Sequence, residues 1–227
     1  MISAALLALA SSGAPAGVVA PRPDADCVTY DAAYERAPLM KVIAAAGARV
    51  HFQDKAAPCQ TGARCPWVRA GYVAPGDLVF ASAPVHGFRC VYAGSRGRLS
   101  AGFVPEVALA PADEGGAITP AWLVGRWANF GDLILVSATK NGRLAAKGEA
   151  IWPGRGFAGP PGPNFGDFEG TPILSGATVV VTSGDCRVEG RRRGPYLVVS
   201  DNEQCGGMNV RFDGIYVSGS SLKFEGY

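Results

Sequence analysis

His51 and His86 are the two histidines of this chain, and histidine is the side chain whose unperturbed titration falls nearest neutral pH. His51 sits inside an apolar-alternating stretch, Ala48-Arg49-Val50-His51-Phe52, and His86 follows a proline in a turn. Neither has His, Cys, Asp or Glu neighbours at a metal-ligand spacing, so no metal site and no general base is expected from them. Ser-x-x-Lys occurs at Ser137-Ala138-Thr139-Lys140 and Ser220-Ser221-Leu222-Lys223. That motif acts as a nucleophile only when a helix returns the lysine to the serine's side, and both matches fall in strand and turn context. Asp167 with Glu169, and Asp201 with Glu203, are carboxylate pairs of the type used in glycoside hydrolysis or calcium binding. Nothing around them in the sequence supplies a pKa-raising environment or a full ligand loop, so they read as exposed acids. No catalytic constellation emerges. The chain is expected to be non-enzymatic and to need no cofactor.

The six cysteines split four and two: Cys27, Cys59, Cys65 and Cys90, then Cys186 and Cys205. They follow an uncharged apolar leader, residues 1–10, and an Ala-x-Ala pattern ending at Ala16. A signal peptide over residues 1–16 and disulfides closed within each half are expected, in a periplasmic or secreted protein. Cys186 and Cys205 are then partners, while the first four leave three pairings open.

Composition bounds the rest. With 48% hydrophobic residues, 31 Gly and 17 Pro, the chain is a folded one with many tight turns. Lys and Arg number 21 against 19 Asp and Glu, and each half is close to neutral, so nothing in the charge calls for nucleic acid. No apolar run reaches the roughly 20 residues that a transmembrane helix needs.

Residues 17–44 form a lead-in in which a helix could start near Asp31, but Pro38 interrupts it. Short strand candidates fill 45–110, the first module. Residues 111–119 read as a Gly- and Pro-containing linker, and 120–227 as a second β module. Strand candidates there are 132–138, 143–152, 177–182, 186–189, 196–200, 208–216 and 221–224, with Asn141-Gly142 as a type I′ hairpin turn. The expected fold class is all-β, with a small N-terminal barrel and a small antiparallel C-terminal barrel or sandwich.

Residues 48–109 resemble the bacterial SH3-like domain of exported proteins. The resemblance is carried by Tyr72-Val73-Ala74-Pro75-Gly76-Asp77-Leu78-Val79, Gly87-Phe88-Arg89-Cys90-Val91-Tyr92 and Gly102-Phe103-Val104-Pro105-Glu106-Val107-Ala108-Leu109. It implies a five-stranded barrel that binds peptides or cell-wall components. The second half is similar to an exported bacterial β domain found beside lysozyme-inhibitor-like domains. Its marks are Trp122-Leu123-Val124-Gly125-Arg126-Trp127, the stretch 142–152 and the ending 196–216.

Two groups are binding candidates. Trp67, Tyr72 and Tyr92 with Arg98 would line an SH3-like groove, unless the strand aromatics simply fill the barrel. Arg191, Arg192 and Arg193 precede Gly194-Pro195 and read as a cationic turn, either solvated or facing carboxylate or phosphate. The expected function is non-enzymatic binding of a cell-wall component or envelope protein. The alternative is an inhibitor of a lysozyme-like enzyme that inserts residues 160–165 or 191–193.

Overall fold

Short β-branched and aromatic runs broken by Gly and Pro favour short strands. Sixteen occur in the computed structural model, which describes residues 27, 36–58, 67–95, 98–129, 131–153 and 163–219. The first seven are β1 (Leu39–Val42), β2 (Val50–Gln53), β3 (Val68–Val73), β4 (Leu78–Ala81), β5 (Phe88–Ser95), β6 (Arg98–Pro105) and β7 (Leu109–Pro111). They form one antiparallel sheet in the order β3-β2-β6-β5-β4-β1-β7. The remaining nine are β8 (Gly125–Asn129), β9 (Asp132–Ala138), β10 (Leu144–Trp152), β11 (Asn164–Gly170), β12 (Ile173–Ser175), β13 (Thr178–Ser183), β14 (Cys186–Arg193), β15 (Tyr196–Asp201) and β16 (Gly214–Ser218). They form a second antiparallel sheet in which each strand pairs with its sequence neighbour, broken only between β11 and β12, and β8 meets β16. This sheet curls until β11 packs against β13. The chain is all-β, as its patterning predicts, with two antiparallel sheets, one of them a curled half-barrel.

Several elements differ from the sequence expectation. Strand β1 lies within the segment read as a lead-in with a helix start. Pro38 has no N–H to give a helix, and its carbonyl accepts from Ala81 N at 3.1 Å, which sets β1 beside β4. The hairpin at Asn141-Gly142 forms, but only Gly142 has positive φ (+77°), and Gly142 N donates to Thr139 O at 2.9 Å. That is a type I turn followed by a left-handed glycine, not type I′. Residues 208–213, expected in strand, form a loop that only Gly214–Ser218 follows as strand. Strands β7, β8, β11 and β12 are not among the expected strands, and the candidate at 221–224 lies outside the described residues.

Burial on both sides explains the continuous apolar runs. In β5, Cys90, Val91 and Tyr92 are all buried, and so are Val79, Phe80 and Ala81 of β4. Val79, Ala81 and Val91 join Phe52, Val73, Val104 and Leu109 in the interior of the first sheet. Phe80, Phe88, Cys90, Tyr92 and Phe103 face the other way and pack against Tyr196, Val198 and Ile215 of the second sheet. The two sheets therefore share a hydrophobic seam. Leu197, Val199 and Tyr216, the alternate residues of β15 and β16, fill the half-barrel with Trp127, Phe168 and Phe212.

Residues 111–119 are strapped down at several points. Ala112 N donates to Leu39 O, Gly194 N to Glu114 O and Ile118 N to Gly176 O. The strap leads into α1 (Pro120–Leu123), whose Thr119 hydroxyl accepts from Trp122 N and whose first residue is a proline. Two disulfides, Cys27–Cys90 and Cys186–Cys205, staple the first and second sheets. Cys59 and Cys65, and the leader at 1–16, lie outside the described residues. Among the described residues no helix is long and apolar enough to cross a membrane.

Candidate functional site

Strand β3 is the outer edge of the first sheet, and five of its six residues are exposed, from Val68 through Tyr72. The Phe52 side chain of β2 lies over a glycine of each neighbouring strand, Gly71 of β3 and Gly102 of β6. A Cβ at Gly102 would sit 2.5 Å from that of Phe52, and one at Gly71 3.1 Å from its ring. A register shift between His51 and Gln53 interrupts the β2–β3 pairing.

Aromatic and cationic groups gather on this edge. Tyr72 is 43% exposed, the Arg49 guanidinium carbon lies 4.7 Å from its ring centroid, and the His51 ring lies 5.7 Å away. The His51 Nδ1 is 3.1 Å from Arg69 O, which orients the imidazole beside Tyr72. Arg69 is ion-paired with Asp54 and donates from Nη1 to Ala101 O at 2.9 Å. Further along, Lys55 Nζ lies 5.8 Å from the half-buried Trp67 ring. The arrangement offers an aromatic plate with a guanidinium held over it, suited to carboxylates and planar amides.

The expected groove is only partly assembled. Tyr72 and Trp67 are both on or beside β3, but Tyr92 is 4% exposed and sits in the seam between the sheets. Alternation along β5 points it with Phe88 and Cys90, and the second sheet covers that face. Tyr92 is a core residue and lines no surface groove. Arg98 opens β6 opposite Ser95, and its side chain lies outside the described residues. Arg49 and His51, which flank Tyr72, were not assigned to the groove from sequence. Their signal was the pairing of His51 with Tyr72 across a hairpin that lacks a short turn.

The arginine triplet is not a hairpin tip. Arg191, Arg192 and Arg193 end β14 and pair with Val198, Leu197 and Tyr196 of β15. Arg191 is exposed, Arg192 lies over the Trp122 ring at 4.7 Å, and Arg193 is buried. Arg192 Nη1 donates to Ala117 O at 3.0 Å. Arg193 forms a bidentate pair with Glu114, donates to Ala37 O at 2.8 Å and lies 5.3 Å from the Phe80 centroid. Burial alone would raise the Glu114 carboxyl, but the Arg193 hydrogen bond, the Leu39 N–H and the Arg193 and Arg191 charges hold it below its usual value. Two of the three arginines thus clamp the strap and the first sheet to the second.

The acids divide as well. Asp167 and Glu169 are exposed on the outer face of β11, while Phe168 between them is buried. The Asp201 side chain is fully buried, in contrast to the exposed loop acid expected, and it pairs with Arg211. Asp132, at the start of β9, has its carboxyl pushed up to about 7 by burial and by the Asp201 charge, against the Ile151 N–H bond. His86 is exposed in the two-residue turn between Val85 and Phe88. Among the described residues no three His, Cys, Asp or Glu side chains gather to hold a metal ion. No family model, curated protein or solved structure matches this chain.

Inside the half-barrel an apolar void of about 20 Å³ remains, lined by residues such as Leu123, Ile134, Phe168 and Leu197. That is room for about one water-sized sphere, far below the roughly 300 Å³ or more of small-molecule sites.

Proposed function

We propose that this chain is an exported, non-enzymatic binding protein of the cell envelope. Its SH3-like first sheet presents the β3 edge to a cell-wall component or envelope protein, and its second, barrel-like module braces it. The observation carrying this reading is the exposed Tyr72 with Arg49 stacked on it and His51 beside it. An aromatic plate with a guanidinium stacked on it offers a flat apolar face beside a cation, which matches the carboxylates and amides of wall peptides. The two disulfides support a periplasmic or secreted location. The test is co-sedimentation of the disulfide-intact mature chain with purified sacculi, with release of soluble wall fragments followed in parallel. Retention without release supports the reading; release of fragments would make it an enzyme.

A second reading, an inhibitor of a lysozyme-like enzyme, is favoured by Phe165. This ring is 66% exposed, next to Met208 at 71%, on a platform held by the Cys186–Cys205 disulfide and the Gly166–Gly206 bridge. Rigid exposed apolar anchors suit insertion into a cleft. Residues 160–162 of the proposed inserting segment lie outside the described residues. Nanomolar binding to a lysozyme-like enzyme with no retention on sacculi would select this reading.

A further inference from the structure

The backbone of β3 sets the tautomer of one imidazole on this edge. His51 Nδ1 lies 3.1 Å from Arg69 O, and a carbonyl oxygen can only accept, so Nδ1 carries the proton and donates. The residue that owns this carbonyl is anchored, because the Arg69 side chain is ion-paired with Asp54 and donates from Nη1 to Ala101 O at 2.9 Å. A neutral imidazole has one N–H to place, so Nε2 of His51 is left as an acceptor. Among the described residues His51 makes this one hydrogen bond and the ring contact with Tyr72, and Nε2 meets no donor.

Arg49 supplies the complementary half. It stands immediately before β2, two residues from His51, so the two side chains share a face, and Tyr72 is the cross-strand partner of His51 on that face. Both flank the same ring: the Arg49 guanidinium carbon lies 4.7 Å from its centroid and the His51 ring centroid 5.7 Å from it. Arg49 is exposed and among the described residues has no carboxylate partner, so its N–H groups are open to a ligand. One aromatic ring is thus flanked by a group that only donates and an atom that only accepts.

We propose that Arg49, His51 and Tyr72 read a neutral amide group, and that His51 sets the preference for amide over carboxylate. This deepens, and rests on, the reading of the β3 edge as the binding surface. The amide C=O accepts from Arg49 and its N–H donates to His51 Nε2. A carboxylate can use only the Arg49 half: its second oxygen has no proton, and it sets a lone pair against that of Nε2. Its charge gains little at an exposed arginine in salt. The ligand class is a peptide bond, a carboxamide or an N-acetyl group.

The test is a nuclear magnetic resonance titration of the full disulfide-intact chain with benzamide and with benzoate, in physiological salt at pH 8.5, where imidazole side chains are uncharged. Retention on sacculi is measured on the same material. The wild type should bind benzamide about fivefold more tightly than benzoate, with shifts centred on Arg49, His51 and Tyr72. His51→Phe keeps a ring beside Tyr72 but has no acceptor, and it should lose that preference. Arg49→Ala, at an exposed position, should weaken both ligands. No retention on sacculi overturns the binding reading and this inference with it. Retention with no response to benzamide, with benzoate bound as tightly, or with the preference intact in His51→Phe overturns the inference alone.

Discussion

Arg193 of the second sheet and Glu114 of the connecting strap, 79 residues apart in sequence, form a bidentate pair at the seam between the sheets. The same guanidinium bonds Ala37 O and lies over Phe80, and the same carboxylate accepts Leu39 N at 3.2 Å. One pair thus connects the strap, the entry to β1 and the end of β14.

Arg193→Ala removes charge-assisted bonds from a buried position and leaves Ala37 O unpaired. It should cost roughly 2–3 kcal/mol, read as a lower urea midpoint at unchanged slope. Glu114 is held below its usual value, so its share of stability is present at neutral pH and is lost as pH falls through that lowered value. Glu114→Gln should flatten that acid limb of the urea midpoint.

The shared seam predicts that the two sheets unfold together. Phe80 and Tyr196 have ring centroids 5.5 Å apart, and the Tyr196 hydroxyl donates to Leu78 O at 3.1 Å. Tryptophan fluorescence and far-UV circular dichroism should give coincident transitions. Tyr196→Ala should cost about 3–5 kcal/mol, as for large aromatic truncations in cores.

Most strands are legible in sequence because alternation and turn residues are local signals, but β1, β7, β8, β11 and β12 are not. The expected strand Asp132–Ala138 matches β9 residue for residue, and Asn141-Gly142 turns a hairpin of a different type from the one its residues suggest. What escaped was set by contacts distant in the chain. Tyr92 looks like a groove aromatic until β15 and β16 cover its face. Arg193 looks like a solvated turn until Glu114 reaches it. Asp132 carries no sequence signal of its unusual titration, which arises first from its burial in the fold and then from the charge of Asp201, 69 positions on. The β3 site was half legible: Tyr72 and Trp67 were named, but Arg49 and His51 join them only through the β2–β3 pairing.

Glu149 and Asp167 stand directly opposite each other on β10 and β11, both exposed. Like charges in that position repel, and Lys147, 3.9 Å from Glu149, offsets this only weakly. Asp167→Lys should raise stability by about 0.5 kcal/mol, seen as a higher urea midpoint that shrinks in high salt.

Asp132 is raised in the folded chain, so the folded state binds its proton more tightly than the unfolded one. Its contribution is fully present below its unfolded value and is lost as pH rises through about 7. Asp132→Asn should therefore stabilise the protein at pH 8 by roughly 2 kcal/mol and change little at pH 4, measured by urea unfolding at both values.

The most direct test of the binding reading is a sacculus-binding isotherm for the wild type, Tyr72→Ala, Arg49→Ala and the control Phe165→Ser. Losing the aromatic plate or its guanidinium should weaken retention about tenfold, while Phe165→Ser should bind as the wild type does. Retention that ignores Tyr72 and Arg49, or that vanishes with Phe165→Ser, would contradict the account.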